Sequence, residues 1–113
     1  MNIDPNWEIS VADVDAMRKR GDAFLLLDVR QPEEFAICKI DGAQLIPLHD
    51  LESRVDDVKR LAAGKPVVTQ CHHGGRSLSA AAILRKAGLA DVKSMAGGID
   101  QWSLQIDAKV PRY

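Results

Sequence analysis

The chain has 113 residues, 46% of them hydrophobic and 27% charged, with a formal net charge of −1. That length suits one domain, residues 1–113, with a real core, and the composition excludes a disordered or coiled-coil chain. The charge balance excludes a global basic footprint for nucleic acid, and the longest unbroken apolar stretch, "AFLLL", is far too short to span a bilayer. The opening "MNIDPNWEIS" has neither a basic n-region nor an apolar h-region, so no export signal is expected. "SVADVDAMRKRG" reads as a helix, with Ser10 and Asp13 forming a capping-box-like start and Gly21 the stop. "AFLLLDV" does not alternate and reads as a strand buried on both faces, the mark of a parallel sheet. "QPEEF" starts a short helix with Pro32 near its first position. "AQLIPL" is another apolar strand, ended by Pro47. "DLESRVDDVKRLAAG" has helical spacing at Leu51, Val55, Val58 and Leu61, with Gly64 as the stop. "KPVVTQC" is a further strand, "SLSAAAILRKAG" a helix ending at Gly88, "DVKSMAGG" a short strand and turn, and "IDQWSLQ" a final helix. Strands alternating with helices predict an α/β fold on a parallel sheet.

In such sheets ligands sit beyond the carboxyl ends of the strands. The stretch "CHHGGRS", residues 71–77, lies at such an end. Gly74 and Gly75 let the backbone fold into a tight arc and visit positive φ. Such an arc turns successive N–H groups inward as an anion-binding nest. The helix that begins near Ser77 adds its N-terminal dipole, and Arg76 adds a permanent charge. All three stabilise a thiolate at Cys71, and all three equally hold an anionic substrate or an extra anionic sulfur on Cys71. A small buried thiol before a plain turn is the bland alternative. It does not require Arg76 or consecutive glycines at a strand-to-helix switch. The candidate site is therefore Cys71 as nucleophile, with His72, His73, Gly74, Gly75, Arg76 and Ser77 as its substrate-binding loop.

His72 and His73 beside Cys71 invite a metal reading. Adjacent residues are expected to point apart, and no second ligand pair follows downstream, so a metal site is disfavoured. The two histidines are expected at the pocket rim, with a functional contact left open for either. Asp28 and Arg30 of "LLDVR" end a buried strand and are expected to tie loops together as a structural ion pair. Cys38 has no CxxC spacing, so packing is favoured over a redox role. Both thiols are expected to stay reduced in a cytoplasmic setting. His49 is expected at the surface, and Trp102 on the core face of the last helix.

"LLDVRQPEEF", "DGAQLIPL", "CHHGGRS" and "MAGGIDQW" occur in the order seen in single-domain rhodanese-like sulfurtransferases, and the resemblance covers nearly the whole chain. It implies a central parallel sheet of about five strands with helices on both faces, Cys71 as the carrier of a persulfide, and residues 71–76 as the active-site loop. "FAICKIDGAQLIPL" and "GGIDQWSLQIDAKVPRY" are more similar still to the rhodanese domain at the C-terminus of some adenylyltransferases that activate sulfur-carrier proteins. Many single-domain rhodaneses have Gly-His where this chain has Cys38-Lys39, which fits that subgroup. The resemblance implies a small sulfur donor such as thiosulfate. It leaves open a sulfur-carrier protein or an adenylyltransferase as partner, and requires no cofactor and no metal.

Two other functions compete. Phosphatase or arsenate-reductase chemistry also uses a cysteine in an anion cradle closed by arginine, but those loops place five residues between the two. Here four intervene, His72 to Gly75, and the tighter arc suits a single sulfur better than a tetrahedral oxyanion. A non-catalytic binding module of the same fold is disfavoured because both the cysteine and the loop are intact.

Overall fold

The computed structural model describes residues 5–113; the first four residues of "MNIDPNWEIS" lie outside them. Among the described residues a five-stranded, wholly parallel sheet is formed by β1 (Glu8–Ile9), β2 (Leu25–Asp28), β3 (Gln44–Leu45), β4 (Val67–Gln70) and β5 (Val92–Met95). Its order is β1-β5-β4-β2-β3. The helices are α1 (Val11–Arg20), α2 (Pro32–Ile37), α3 (Val55–Ala62), α4 (Gly75–Lys86) and α5 (Gly98–Gln105). Alternate side chains of the apolar strands feed two cores. Leu25, Leu27 and Val67 pack with Val58 of α3 and Ala80, Ala81 and Leu84 of α4. Leu26 and Val68 pack with Val11 and Val14 of α1 and Ile99 and Trp102 of α5. Both faces of the sheet are thus covered, as continuous apolar strands require. No helix among the described residues is long and apolar enough to cross a membrane.

The local start and stop chemistry acts as expected in α1. Ser10 Oγ accepts from the Asp13 N–H at 3.0 Å, and Gly21 closes the helix at φ 75°. Pro32 opens α2. Three elements differ from expectation. Strand β1 has only two residues and was not anticipated; its pairing comes entirely from Ser94 and Met95 of β5. The helix expected over 50–64 is split into 3₁₀ turns at Leu48–Asp50 and Glu52–Arg54, followed by the shorter α3. Leu51 and Val58 are buried as expected, but Leu61 is exposed because Ala62 takes the inward position. The last change concerns α4, which begins at Gly75, two residues before Ser77.

Arg30 and Asp28 are completely buried and joined at 2.7 Å. Arg30 also donates to the Cys38 carbonyl at 2.7 Å, the Glu34 carbonyl at 3.3 Å and the Tyr113 hydroxyl at 3.0 Å. One guanidinium therefore joins the end of β2, the middle and C-cap of α2 and the segment around 113, the loop-tying role expected of it. Burial works against its charge, but Asp28 and Tyr113 outweigh that cost and raise its pKa.

Candidate active site

Cys71 follows β4, the central strand, at the carboxyl edge of the sheet, and is 1% exposed. Gly74 has φ 113°, which only glycine adopts readily, and turns the chain back on the sulfur. The Gly74 N–H then donates to Cys71 Sγ at 3.1 Å and the Ser77 N–H at 3.3 Å. The early start of α4 has a direct consequence: Arg76 and Ser77 lie in its first turn, so the second donor is a free N–H of a helix N-terminus. Such donors stabilise charge on sulfur and on whatever is bonded to it.

Ser77 is fully buried and holds this geometry from below. Its hydroxyl lies 3.5 Å from Sγ, donates to the Gly74 carbonyl at 3.1 Å and meets Ser94 Oγ of β5 at 2.7 Å. Thr69 of β4 donates to the Ser77 carbonyl at 2.7 Å. From the other side α5 fixes the loop by its N-terminal amides. The Ile99 N–H donates to the Cys71 carbonyl at 2.8 Å and the Asp100 N–H to the His72 carbonyl at 3.1 Å.

Arg76 stands elsewhere than the sequence suggested. Its guanidinium is spent on Glu34, with Nη1 donating to Oε1 at 2.6 Å and Nη2 to Oε2 at 2.9 Å, rather than on the sulfur. The reason is that α2 delivers a carboxylate to the mouth of the loop, and a bidentate pair outcompetes a single thiol. The Arg76 guanidinium holds the Glu34 carboxyl well below the usual carboxylate range, against the effect of burial. Tyr113 donates to Glu34 Oε2 at 2.6 Å. Glu34 and Tyr113 were missed as site residues. Glu34 lies inside "QPEEF", whose pattern marks a helix start and nothing more, and nothing local marks Tyr113.

The histidine expectation is also corrected. The His72 and His73 rings do not point apart but stack at 3.9 Å, because the chain is turning here and strand alternation no longer applies. Tyr113 stacks on the other face of His72 at 3.9 Å and 9°. His73 is largely exposed, with Nδ1 3.9 Å from Asp100. Among the described residues no group of three or more His, Cys, Asp or Glu side chains is placed to hold a metal. Burial, and then the charge of His73, holds the His72 imidazole below its ordinary range, while Asp100 and Glu34 oppose this. An NMR titration is expected to show His72 losing its proton below the ordinary imidazole range. Tyr113→Ala should move that midpoint up, and Tyr113→Phe, which keeps the ring, should not. An unmoved midpoint in Tyr113→Ala would show that the stacked phenol is not what desolvates His72.

Cys38 is 7% exposed and belongs to the core between the sheet and α1 and α5, with Arg30 Nη1 3.8 Å from its sulfur. Cys71 belongs to the core on the other face. A cavity of about 310 Å³ lies beside Cys38 and Trp102, away from the Cys71 loop.

Residues 10–105 match the family model described as the rhodanese-like domain. A probable adenylyltransferase/sulfurtransferase, MoeZ of Mycobacterium tuberculosis, is 38% identical over 93 residues, which are 82% of this chain and 24% of that protein. The chain thus spans about a quarter of that longer relative. The thiosulfate sulfurtransferase GlpE of Pseudomonas fluorescens is 34% identical over 87 residues, covering 77% of this chain and 75% of that protein. Among solved structures, the human single-domain sulfurtransferase TSTD1 superposes with a TM-score of 0.74 at 29% identity, covering 88% of this chain and 96% of that one.

Proposed function

The chain belongs to the rhodanese-like family, and on that premise we propose that residues 1–113 act as a single sulfurtransferase unit with Cys71 as its sulfur carrier. The observation that carries this reading is the pair of N–H donors, Gly74 and Ser77, aimed at Cys71 Sγ from a helix N-terminus. The Cys71 thiolate attacks the outer sulfur of thiosulfate or a similar donor. A new S–S bond forms, the old one breaks, and sulfite leaves with the bonding pair. The terminal sulfur of the resulting persulfide is then attacked by cyanide, a thiol or a carrier protein, which restores the thiolate. The two N–H groups hold the thiolate with which the cycle starts and ends: Sγ gives up its charge as sulfite departs and regains it when the acceptor takes the terminal sulfur. His72, His73, Gly74, Gly75, Arg76 and Ser77 form the donor-binding loop, with Ser77 acting through its N–H and its hydroxyl bracing the arc. A sulfur-carrier protein or an adenylyltransferase is proposed as partner, by analogy with relatives such as MoeZ, and the cytoplasm as the setting, where two free thiols stay reduced.

The test is mass spectrometry of protein incubated with thiosulfate and freed of reductant. A mass gain of one sulfur atom, mapped to the peptide holding Cys71 and removed by cyanide, is the expected result. An aryl phosphate offered to the same preparation should not be hydrolysed at a comparable rate. No sulfur on Cys71, or sulfur found only on Cys38, would overturn the assignment.

A further inference from the structure

Among the described residues, three arginines from the elements in and around the Cys71 loop are paired with carboxylates. Asp28 meets Arg30 at 2.7 Å, Glu34 meets Arg76 at 2.6 Å, and Asp100 meets Arg112 at 2.8 Å. Each of these guanidiniums is thus matched by a carboxylate. Arg76 is the one on the loop itself, and its pKa is raised first by the Glu34 hydrogen bond and further by the charge of Cys71. Glu34 takes both Nη groups of that guanidinium. The carboxylate is itself fixed from two more sides, by the Gln31 N–H at 3.0 Å and the Tyr113 hydroxyl at 2.6 Å.

We propose that Glu34 is a specificity-determining residue: it masks the charge of Arg76 and so sets how strongly the mouth of the Cys71 loop attracts an anionic donor. The proposal rests on the sulfur-transfer reading for the identity of the donor. A carboxylate in contact with a guanidinium turns a monopole into a dipole, whose field falls off faster with distance. An anion approaching Sγ then feels the Gly74 and Ser77 N–H groups in full but only a remainder of Arg76. Removing the carboxylate charge restores the monopole at the mouth. Glu34→Gln does this with little change of shape. Its amide oxygen still accepts from the Gln31 N–H, but its NH₂ cannot accept from the second Nη.

The experiment compares Cys71 alkylation by iodoacetate, an anion, with alkylation by iodoacetamide, a neutral reagent of the same size and leaving group. Peptide mass spectrometry restricts the reading to Cys71. The ratio of the two rates cancels any change in thiol reactivity or loop mobility, which a merely structural role would alter for both reagents alike. In Glu34→Gln the ratio is expected to rise about 3- to 10-fold at low salt and to shrink as salt is added. In Arg76→Gln it should fall below wild type, since Glu34 is then unopposed. Glu34→Asp, which withdraws the charge by one methylene, should raise it less, and it serves if Glu34→Gln does not fold. The KM for thiosulfate should fall in parallel in Glu34→Gln. A ratio at or below wild type in the folded Glu34 variants overturns the proposal. A raised ratio in a protein that never takes sulfur from thiosulfate would sustain the masking role and remove thiosulfate as the donor.

Discussion

Cys71→Ser is expected to abolish thiosulfate:cyanide turnover, by roughly 10³-fold or more, the scale seen when a covalent nucleophile is removed. Serine matches cysteine in shape, and the Gly74 and Ser77 N–H groups that now face Sγ would face its oxygen. That oxygen stays protonated near neutral pH and cannot carry a sulfane sulfur, so the arc is kept and the chemistry is lost. Cys38→Ser should retain near wild-type turnover. Its thiol lies on the opposite face of the sheet from Cys71, in the core with Trp102 and Val110, and a route between the two sulfurs would have to cross that sheet. Thiocyanate formation, measured for both variants beside their thermal unfolding, decides the matter. Substantial turnover by Cys71→Ser would sink the assignment. Collapse of activity in a folded Cys38→Ser would bring the second thiol into the chemistry.

What could be read from the residues alone follows from the range of the forces involved. The "LLL" of β2 and the "VV" of β4 declare a parallel sheet because strands covered on both faces must be apolar throughout. Ser10 and Gly21 mark helix ends by bonds made within a few residues, and Pro32 by its own fixed φ. The arc around Cys71 was legible for the same reason, since Gly74 and Ser77 reach the sulfur from three and six residues away. Strand β1 was not, because two residues carry no pattern and their order is lent by β5. Nor were the 3₁₀ turns before α3, since a spacing of three serves both kinds of helix. The charge of Arg76 is legible on the loop, but the partner of its guanidinium is not. Its partner Glu34 is 42 residues distant, and Tyr113 is 79 residues from Glu34, so only the assembled fold brings the three together.

Gly98→Ala should be among the most damaging single substitutions in the chain, at about 4 kcal/mol of stability or more. Gly98 has φ 61°, and a Cβ there would stand 2.4 Å from the Cys71 carbonyl oxygen and 2.5 Å from that of His72. Both obstacles are backbone, and both carbonyls are already bound by α5 through the Ile99 and Asp100 N–H groups. The methyl can be accommodated only by pushing α5 away from the Cys71 loop, which breaks those two bonds and releases the arc that shapes the nucleophile. Two other glycines separate the causes. Gly21 has φ 75° with nothing near its missing Cβ, so Gly21→Ala carries only the left-handed backbone cost, about 1 kcal/mol. Gly97 has φ 80°, and its Cβ would meet Gln101 Cγ at 2.1 Å, part of a flexible side chain that can swing aside. Gly97→Ala should therefore fall between the other two. Thermal unfolding of the three variants should rank them Gly21, Gly97, Gly98 in rising damage, with Gly98→Ala lowering the midpoint by about 15 °C or more. Sulfur transfer, measured well below each midpoint, should be lost in Gly98→Ala and kept in Gly21→Ala, because only the first displaces the Cys71 carbonyl. Equal unfolding midpoints for Gly21→Ala and Gly98→Ala would mean that the contact between α5 and the loop does not hold the site in place.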